Sequence, residues 1–279
     1  MKHLGVEIEL TGIKRIDLVK ALENLFHTTA KPVKSKTTDD GYIYHKIPDE
    51  KGNYWSVVRD RSVKPQKYIE KTKGSKAFRV IDVTTDERDY MVELVSPVLT
   101  NDTLPTLFTV VSVIKSLGGL VNDTCGIHVH IDKMELDDCS SLFKRWVSEQ
   151  DAIFNSFGVK DNRREKYCKL YSDIPLEDFD DLDDFLHFLW VNYRDKSVDY
   201  RHAIRNSRSL RYYGLNFHSL LTHGTIEYRI FNSTLDNVQI AKILKWVLDF
   251  SYPYNSCIEY NSVLENFLLQ EIVTNQCTE

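Results

Sequence analysis

The chain has 279 residues, 42% hydrophobic and 28% charged, an ordinary globular balance that implies a buried core and leaves room for one large domain or two modest ones. Its formal charge of −5 gives the whole molecule no grip on nucleic acid or an anionic membrane, so any anion site must be local. Five cysteines without close pairs do not form the framework of a secreted disulfide protein, Glu7 and Glu9 break the apolar run that a leader would need, and no stretch reaches membrane-spanning length; a cytoplasmic protein is the expectation.

Val6, Ile8 and Leu10 alternate with Glu7 and Glu9, the period-two pattern of a strand with one apolar and one polar face. A helix follows, capped by Asp17 and carrying Leu18, Ala21, Leu22, Leu25 and Phe26 at helical spacing. Residues 28–53 are polar, with scattered glycine and proline, and read as a long excursion. Tyr54–Val58, Phe78–Val83 and Tyr90–Val95 are predicted strands, the last ended by Ser96-Pro97.

Within 102–117, Leu104, Leu107, Val110, Val111 and Ile114 form one helical stripe, and Gly118-Gly119 supplies its stop. Gly126–Ile131 is a strand, and residues 136–196 read as mainly helical, including an acidic, aromatic tract around 180–190 taken as a helix with a solvated face. Strand pattern returns at Tyr212–Phe217 and Thr225–Phe231, and helices close the chain near 236–250 and 258–270. No repeat or linker intervenes, so the expectation is one domain over 1–279 with a helical insertion at about 136–200. Hairpin-like strands interspersed with helices favour an α+β antiparallel sheet over a doubly wound parallel one.

Three separated segments share one grammar: Glu7-x-Glu9, His128-x-His130 and Glu227-x-Arg229, each flanked by apolar residues. Residues two apart lie on the same side of a strand, so each polar pair points one way and its apolar neighbours point to the core. Taken singly, such a pair is more often a solvated surface, and Glu227-x-Arg229 a same-face ion pair. Together, three apolar-backed strands that present carboxylates and imidazoles ask for a cation, because clustered carboxylates repel unless neutralised. A hard ion with oxygen ligands suits the glutamates: Mg²⁺, or Mn²⁺ given the imidazoles.

Gly5-Val6-Glu7-Ile8-Glu9-Leu10, Trp55 with Asp60 and Ser62, Glu93-Leu94-Val95-Ser96-Pro97, Cys125-Gly126-Ile127-His128-Val129-His130, and Tyr213-x-Leu215-Asn216 leading to Gly224-Thr225-Ile226-Glu227-Tyr228-Arg229 together resemble the amidoligase family. That family is similar to glutamine synthetase and glutamate-cysteine ligase. The resemblance implies a curved, mainly antiparallel sheet packed by helices, with ATP entering one side, substrate the other, and two or more Mg²⁺ or Mn²⁺ ions between. It implies that Glu7, His128 and Glu227 hold the metal beside the transferred phosphate, and that Glu9 and Glu93 hold a substrate-side metal.

By the same resemblance His130 touches nucleotide phosphate, Arg229 meets the transferred phosphoryl group, and Asp60, in a turn where Arg61 replaces the family's glycine, binds metal or the amine. Arg211 and Arg208 precede the Leu-Asn strand, and guanidinium forks suit nucleotide phosphate; Arg201 and Arg205 read as a solvated helix face. The implied activity is ATP-dependent amide-bond formation between a carboxylate and an amine, either small molecules or peptides, through an acyl phosphate. Two rivals stand beside it. One is a zinc-dependent hydrolase using His128, His130 and Glu227; the other is a non-catalytic binding protein on the same fold. Cys125, lacking a dedicated base, reads as a small buried residue.

Overall fold

The computed structural model describes residues 3–34, 42–70, 78–84, 87–172, 179–193, 210–253 and 258–276. The protein is α+β, with a large, mostly antiparallel sheet packed by helices. In chain order the strands are β1 (Leu4–Leu10), β2 (Lys31–Lys34), β3 (Ile43–Pro48), β4 (Tyr54–Val58), β5 (Gln66–Glu70), β6 (Phe78–Asp82), β7 (Val92–Val95), β8 (Gly126–Asp132), β9 (Leu215–Asn216) and β10 (Thr225–Asn232). The helices are α1 (Arg15–Leu25), α2 (Leu104–Ser116), α3 (Leu136–Ser156), α4 (Asp161–Lys166), α5 (Leu182–Tyr193), α6 (Ser219–Thr222), α7 (Asn237–Ser251) and α8 (Ile258–Gln276). Among the described residues no helix is long and apolar enough to cross a membrane.

Two compact units divide the chain: Gly5–Ile127 with Ser233–Glu279, and Met1–Leu4 with His128–Asn232. In the first, strands run in the order β2-β3-β4-β7-β1, every pair antiparallel. Register follows from the alternation read in the sequence. Leu4, Val6, Ile8 and Leu10 are all buried, at roughly 1.5–3 kcal/mol per side chain. A one-residue slip would exchange them for Glu7 and Glu9.

Helix α1 packs on β3 and β4, while α2 touches α1 and α7, and α7 pairs with α8. The α2 stop is as expected: Gly118 takes φ +85°, and the Gly119 N–H reaches back to the Ile114 carbonyl at 3.0 Å. For α1 the expectation needs correcting, because Lys14 is the capping residue and Asp17 lies inside the first turn, where its charge suits the helix dipole.

Residues 28–53 are also corrected, since they hold β2 and β3. Both are easily missed, β2 being a four-residue strand at the sheet edge with Pro32 in it, and β3 burying only Ile47. Asp49 closes the β3–β4 hairpin by accepting the Lys51 and Asn53 N–H groups at 2.9 and 2.8 Å, and Gly52 supplies a positive φ of 81°.

In the second unit β8 neighbours β10, and β10 pairs antiparallel with β9. Helices α3 and α5 pack together around Phe143, Phe185, Phe217 and Tyr193, so the acidic aromatic tract is a helix, as read, with its aromatics inward. The strand expected at Tyr212–Phe217 shrinks to two residues. Lys169 intrudes, its N–H donating to the Tyr212 carbonyl at 2.6 Å and its own carbonyl accepting from Gly214 at 3.0 Å. Gly214 is needed there: an added Cβ would come within 2.9 Å of Ile230, Phe154 and Trp146.

Candidate active site

The second unit gathers its polar side chains on Glu227. Thr225, Glu227 and Arg229 share one face of β10, at i, i+2 and i+4, and their apolar neighbours Ile226, Tyr228 and Ile230 are fully buried on the other. The polar face is buried as well, with Glu227 4% and Arg229 6% exposed. Glu227 Oε1 accepts a very short hydrogen bond from Arg229 Nη1, and Oε2 accepts one from Asn216 Nδ2 at 2.7 Å. His128 Nδ1 lies 3.5 Å and His130 Nε2 4.0 Å from the same Oε1.

His130 is oriented from behind by a hydroxyl pair, its Nδ1 lying 2.9 Å from Thr225 Oγ1, which is in turn 2.9 Å from Ser219 Oγ. Arg229 is anchored through its backbone: its N–H donates to the Gly214 carbonyl at 2.8 Å, and its carbonyl accepts from Arg163 Nη2 at 2.9 Å. Arg163 is itself only 1% exposed. Nearby Cys168 is buried, and burial pushes its thiol up, opposed by Arg163 and Arg229; it is a packing residue rather than a nucleophile.

The first unit presents its acids differently. Glu9 on β1 stands directly opposite Glu93 on β7, with carboxylate oxygens within 4.8 Å of each other. Glu7, two residues along the same face, is paired in register with Val95. Glu9 is buried and its Oε2 accepts the Gly126 N–H at 2.6 Å, while Ser233 Oγ donates to its backbone carbonyl at 2.6 Å. Ser96 locks the far end of the pair, donating its N–H to the Val6 carbonyl and accepting the Val6 N–H on Oγ, both at 2.9 Å.

Tyr42 lies on this side of the molecule, between Arg15 and Arg59, with the two guanidinium carbons 5.5 and 4.6 Å from its ring centre. Burial pushes its phenol up to about 12, with the Glu93 carboxylate adding to the rise and both arginines opposing it.

Asp60 forms its turn without glycine: Oδ1 accepts the Ser62 N–H at 2.5 Å, closing Asp60-Arg61-Ser62 through the side chain. It follows β4 at the end where Val58 pairs with Glu93. Arg211 sits in a 3₁₀ turn over Leu210–Tyr212, half-buried, its guanidinium 5.5 Å from the ring centre of Tyr212. Arg208, Arg201 and Arg205 lie outside the described residues. Cys125 is buried as expected, packed with Val63 and Met91.

Sequence reasoning gave no role to Asn216, Thr225, Ser219 or Arg163. Thr225 was within reach, since it extends the same-face series of Glu227 and Arg229 by one step. Arg163 was not, because nothing in Asp-Asn-Arg-Arg-Glu-Lys distinguishes a buried arginine from its exposed neighbours.

No curated protein and no solved structure matches the chain. A family model described as "Putative amidoligase enzyme" matches residues 1–251.

Proposed function

The chain belongs to that amidoligase family, and on this premise we propose that it joins a carboxylic acid to an amine with consumption of ATP. The observation that carries the reading is burial. Glu9, His128, Glu227 and Arg229 occupy the polar faces of their strands and are all at most 6% exposed, where an idle polar face would be solvated. Buried charges are expensive unless paired, and such sets are retained where the charge is used.

The donor set fits a hard divalent cation. Glu9 and Glu93 face each other, and Asn216, whose Nδ2 donates to Glu227, holds a neutral, buried amide oxygen, Oδ1, with no partner among the described residues. In the proposal Glu7, Glu9, Glu93, His128 and Glu227 hold two or more Mg²⁺ or Mn²⁺ ions, which when bound neutralise charge on the nucleotide phosphates. Arg229, fixed by Glu227 at one end and by Arg163 at the other, offers its remaining donors to the transferred phosphoryl group. His130, held by Thr225, and Arg211 with Arg208 orient the nucleotide, and Asp60 receives the amine or a metal.

The substrate carboxylate oxygen attacks the terminal phosphorus, ADP leaves, and an acyl phosphate forms. The amine nitrogen then attacks the acyl carbon, phosphate departs, and the nitrogen loses a proton to give the amide. Positioning and electrostatics carry most of such a phosphoryl transfer.

One observation favours a second reading: His128 and His130 both approach Glu227 Oε1, as a three-ligand zinc site for hydrolysis would require. That reading leaves Glu9 and Glu93, opposed across β1 and β7, without a task. The test is to incubate the purified protein with ATP, Mg²⁺ and pools of acids and amines. Phosphate release that needs both pools and disappears in Glu227→Gln supports the ligase. Cleavage without ATP, sustained by zinc, overturns it.

A further inference from the structure

Asn216 and Glu227 are register partners across β9 and β10, both at least 96% buried, and the amide donates through Nδ2 to Glu227 Oε2 at 2.7 Å. The orientation of this amide is forced. A carboxylate can only accept, so turning the group over would set Oδ1 against Oε2, oxygen against oxygen. Oδ1 must therefore be the atom turned from Oε2, and there it is buried with no donor among the described residues. An unmade acceptor in the interior is a standing penalty that a leucine of similar shape would avoid. What Oδ1 lacks is a donor hydrogen or a cation.

The surroundings say which. Glu227 keeps Oε1 toward Arg229, with His128 and His130 at 3.5 and 4.0 Å, so the amide that holds Oε2 adjoins a group of carboxylate and imidazole ligand atoms within the same unit. Amide carbonyls are hard oxygen ligands, and they accept equally well from the polarised water of a hydrated ion. An anion would set its own oxygens against Oδ1. We infer that Asn216 completes the cation site at Glu227: Nδ2 pins the carboxylate in one orientation, and Oδ1 takes the ion or a hydrogen of its bound water. The inference rests on the metal-dependent reading above, but adds a residue to which no role has been attached.

The experiment uses the full chain and Mn²⁺ alone as probe, with affinity measured by electron paramagnetic resonance of free Mn²⁺ and stability by denaturant unfolding without metal. Asn216→Leu removes both halves of the amide at nearly constant shape. Mn²⁺ should then bind about ten- to a hundredfold more weakly, the usual effect of losing a group that supports a metal ligand, while the metal-free unfolding midpoint falls by no more than the loss of one hydrogen bond to a buried carboxylate.

Asn216→Asp keeps an oxygen but sets a carboxylate against Glu227. Its metal-free form should be the less stable of the two variants, and its gain in midpoint on adding Mn²⁺ should exceed that of the natural protein. That second variant keeps the question answerable if the leucine variant does not fold. Unchanged Mn²⁺ affinity in Asn216→Leu, or a smaller Mn²⁺-induced gain in Asn216→Asp, overturns the role of Asn216 alone. Failure of the natural protein to bind Mn²⁺ overturns the metal-dependent reading itself.

Discussion

Around Glu227 a carboxylate is met by an arginine, an amide and two imidazoles, whereas on β1 and β7 two carboxylates stand opposite one another across an antiparallel ladder. The first arrangement neutralises its own charge. Arg229 and Asn216 satisfy both oxygens, so the group holds its geometry with no ligand present. In the second, Glu9 and Glu93 stand at directly opposed positions, where two ionised carboxylates repel. One region is preorganised by its own partners; on the proposal above, the other responds to what binds.

The largest effect should come from breaking the self-neutralised region. Glu227→Ala strands the 6%-exposed Arg229 without its carboxylate, and removing one member of a buried ion pair costs about 3–5 kcal/mol. Chemical denaturation of the natural and variant proteins measures it. A loss below about 1 kcal/mol, the range of exposed pairs, would mean that the pair is solvated in practice and that the contrast between the regions is false.

Glu93→Gln should do the opposite. Without metal it relieves the repulsion with Glu9 and should raise stability by roughly 0.2–1 kcal/mol. With Mg²⁺ present the order should reverse, because the natural protein gains from binding and the variant gains less. Melting curves with and without Mg²⁺ decide it; a variant less stable in both conditions would show that the two acids are not in conflict.

The contrast also separates what the sequence disclosed from what it hid. The apolar sets of β1, β8 and β10 were legible because period-two alternation has a single physical reading, and the polar residues on their opposite faces came with them. That those faces are buried was not legible, since burial of a polar face depends on what covers it. Asn216 was visible as part of a motif, but its role was not, because that depends on a register partner eleven positions away. Strands β2 and β3 were hidden for a related reason: an edge strand with one buried residue carries almost no hydrophobic pattern, and its ladder partners alone make it a strand.

The alkaline limb of stability probes the acid-pair region most finely. Tyr42 has its phenol raised from 10.0 to about 12, chiefly by burial, so the fold favours the protonated form. Its contribution is complete below pH 10 and is lost as pH rises toward about 12, where the folded state also ionises. Cys139, raised from 9.0 to about 12 by burial in α3, starts to lose its contribution one unit earlier. Tyr42→Phe should therefore leave the fall in unfolding midpoint between pH 9 and 10 as it is, and flatten only the part above. Glu93→Gln supplies the finer cut. Since the Glu93 carboxylate adds to the rise, removing its charge should let Tyr42 ionise at a slightly lower pH, seen in the ultraviolet absorbance of tyrosinate. An unchanged tyrosinate titration would mean that the Glu93 charge does not reach the Tyr42 phenol.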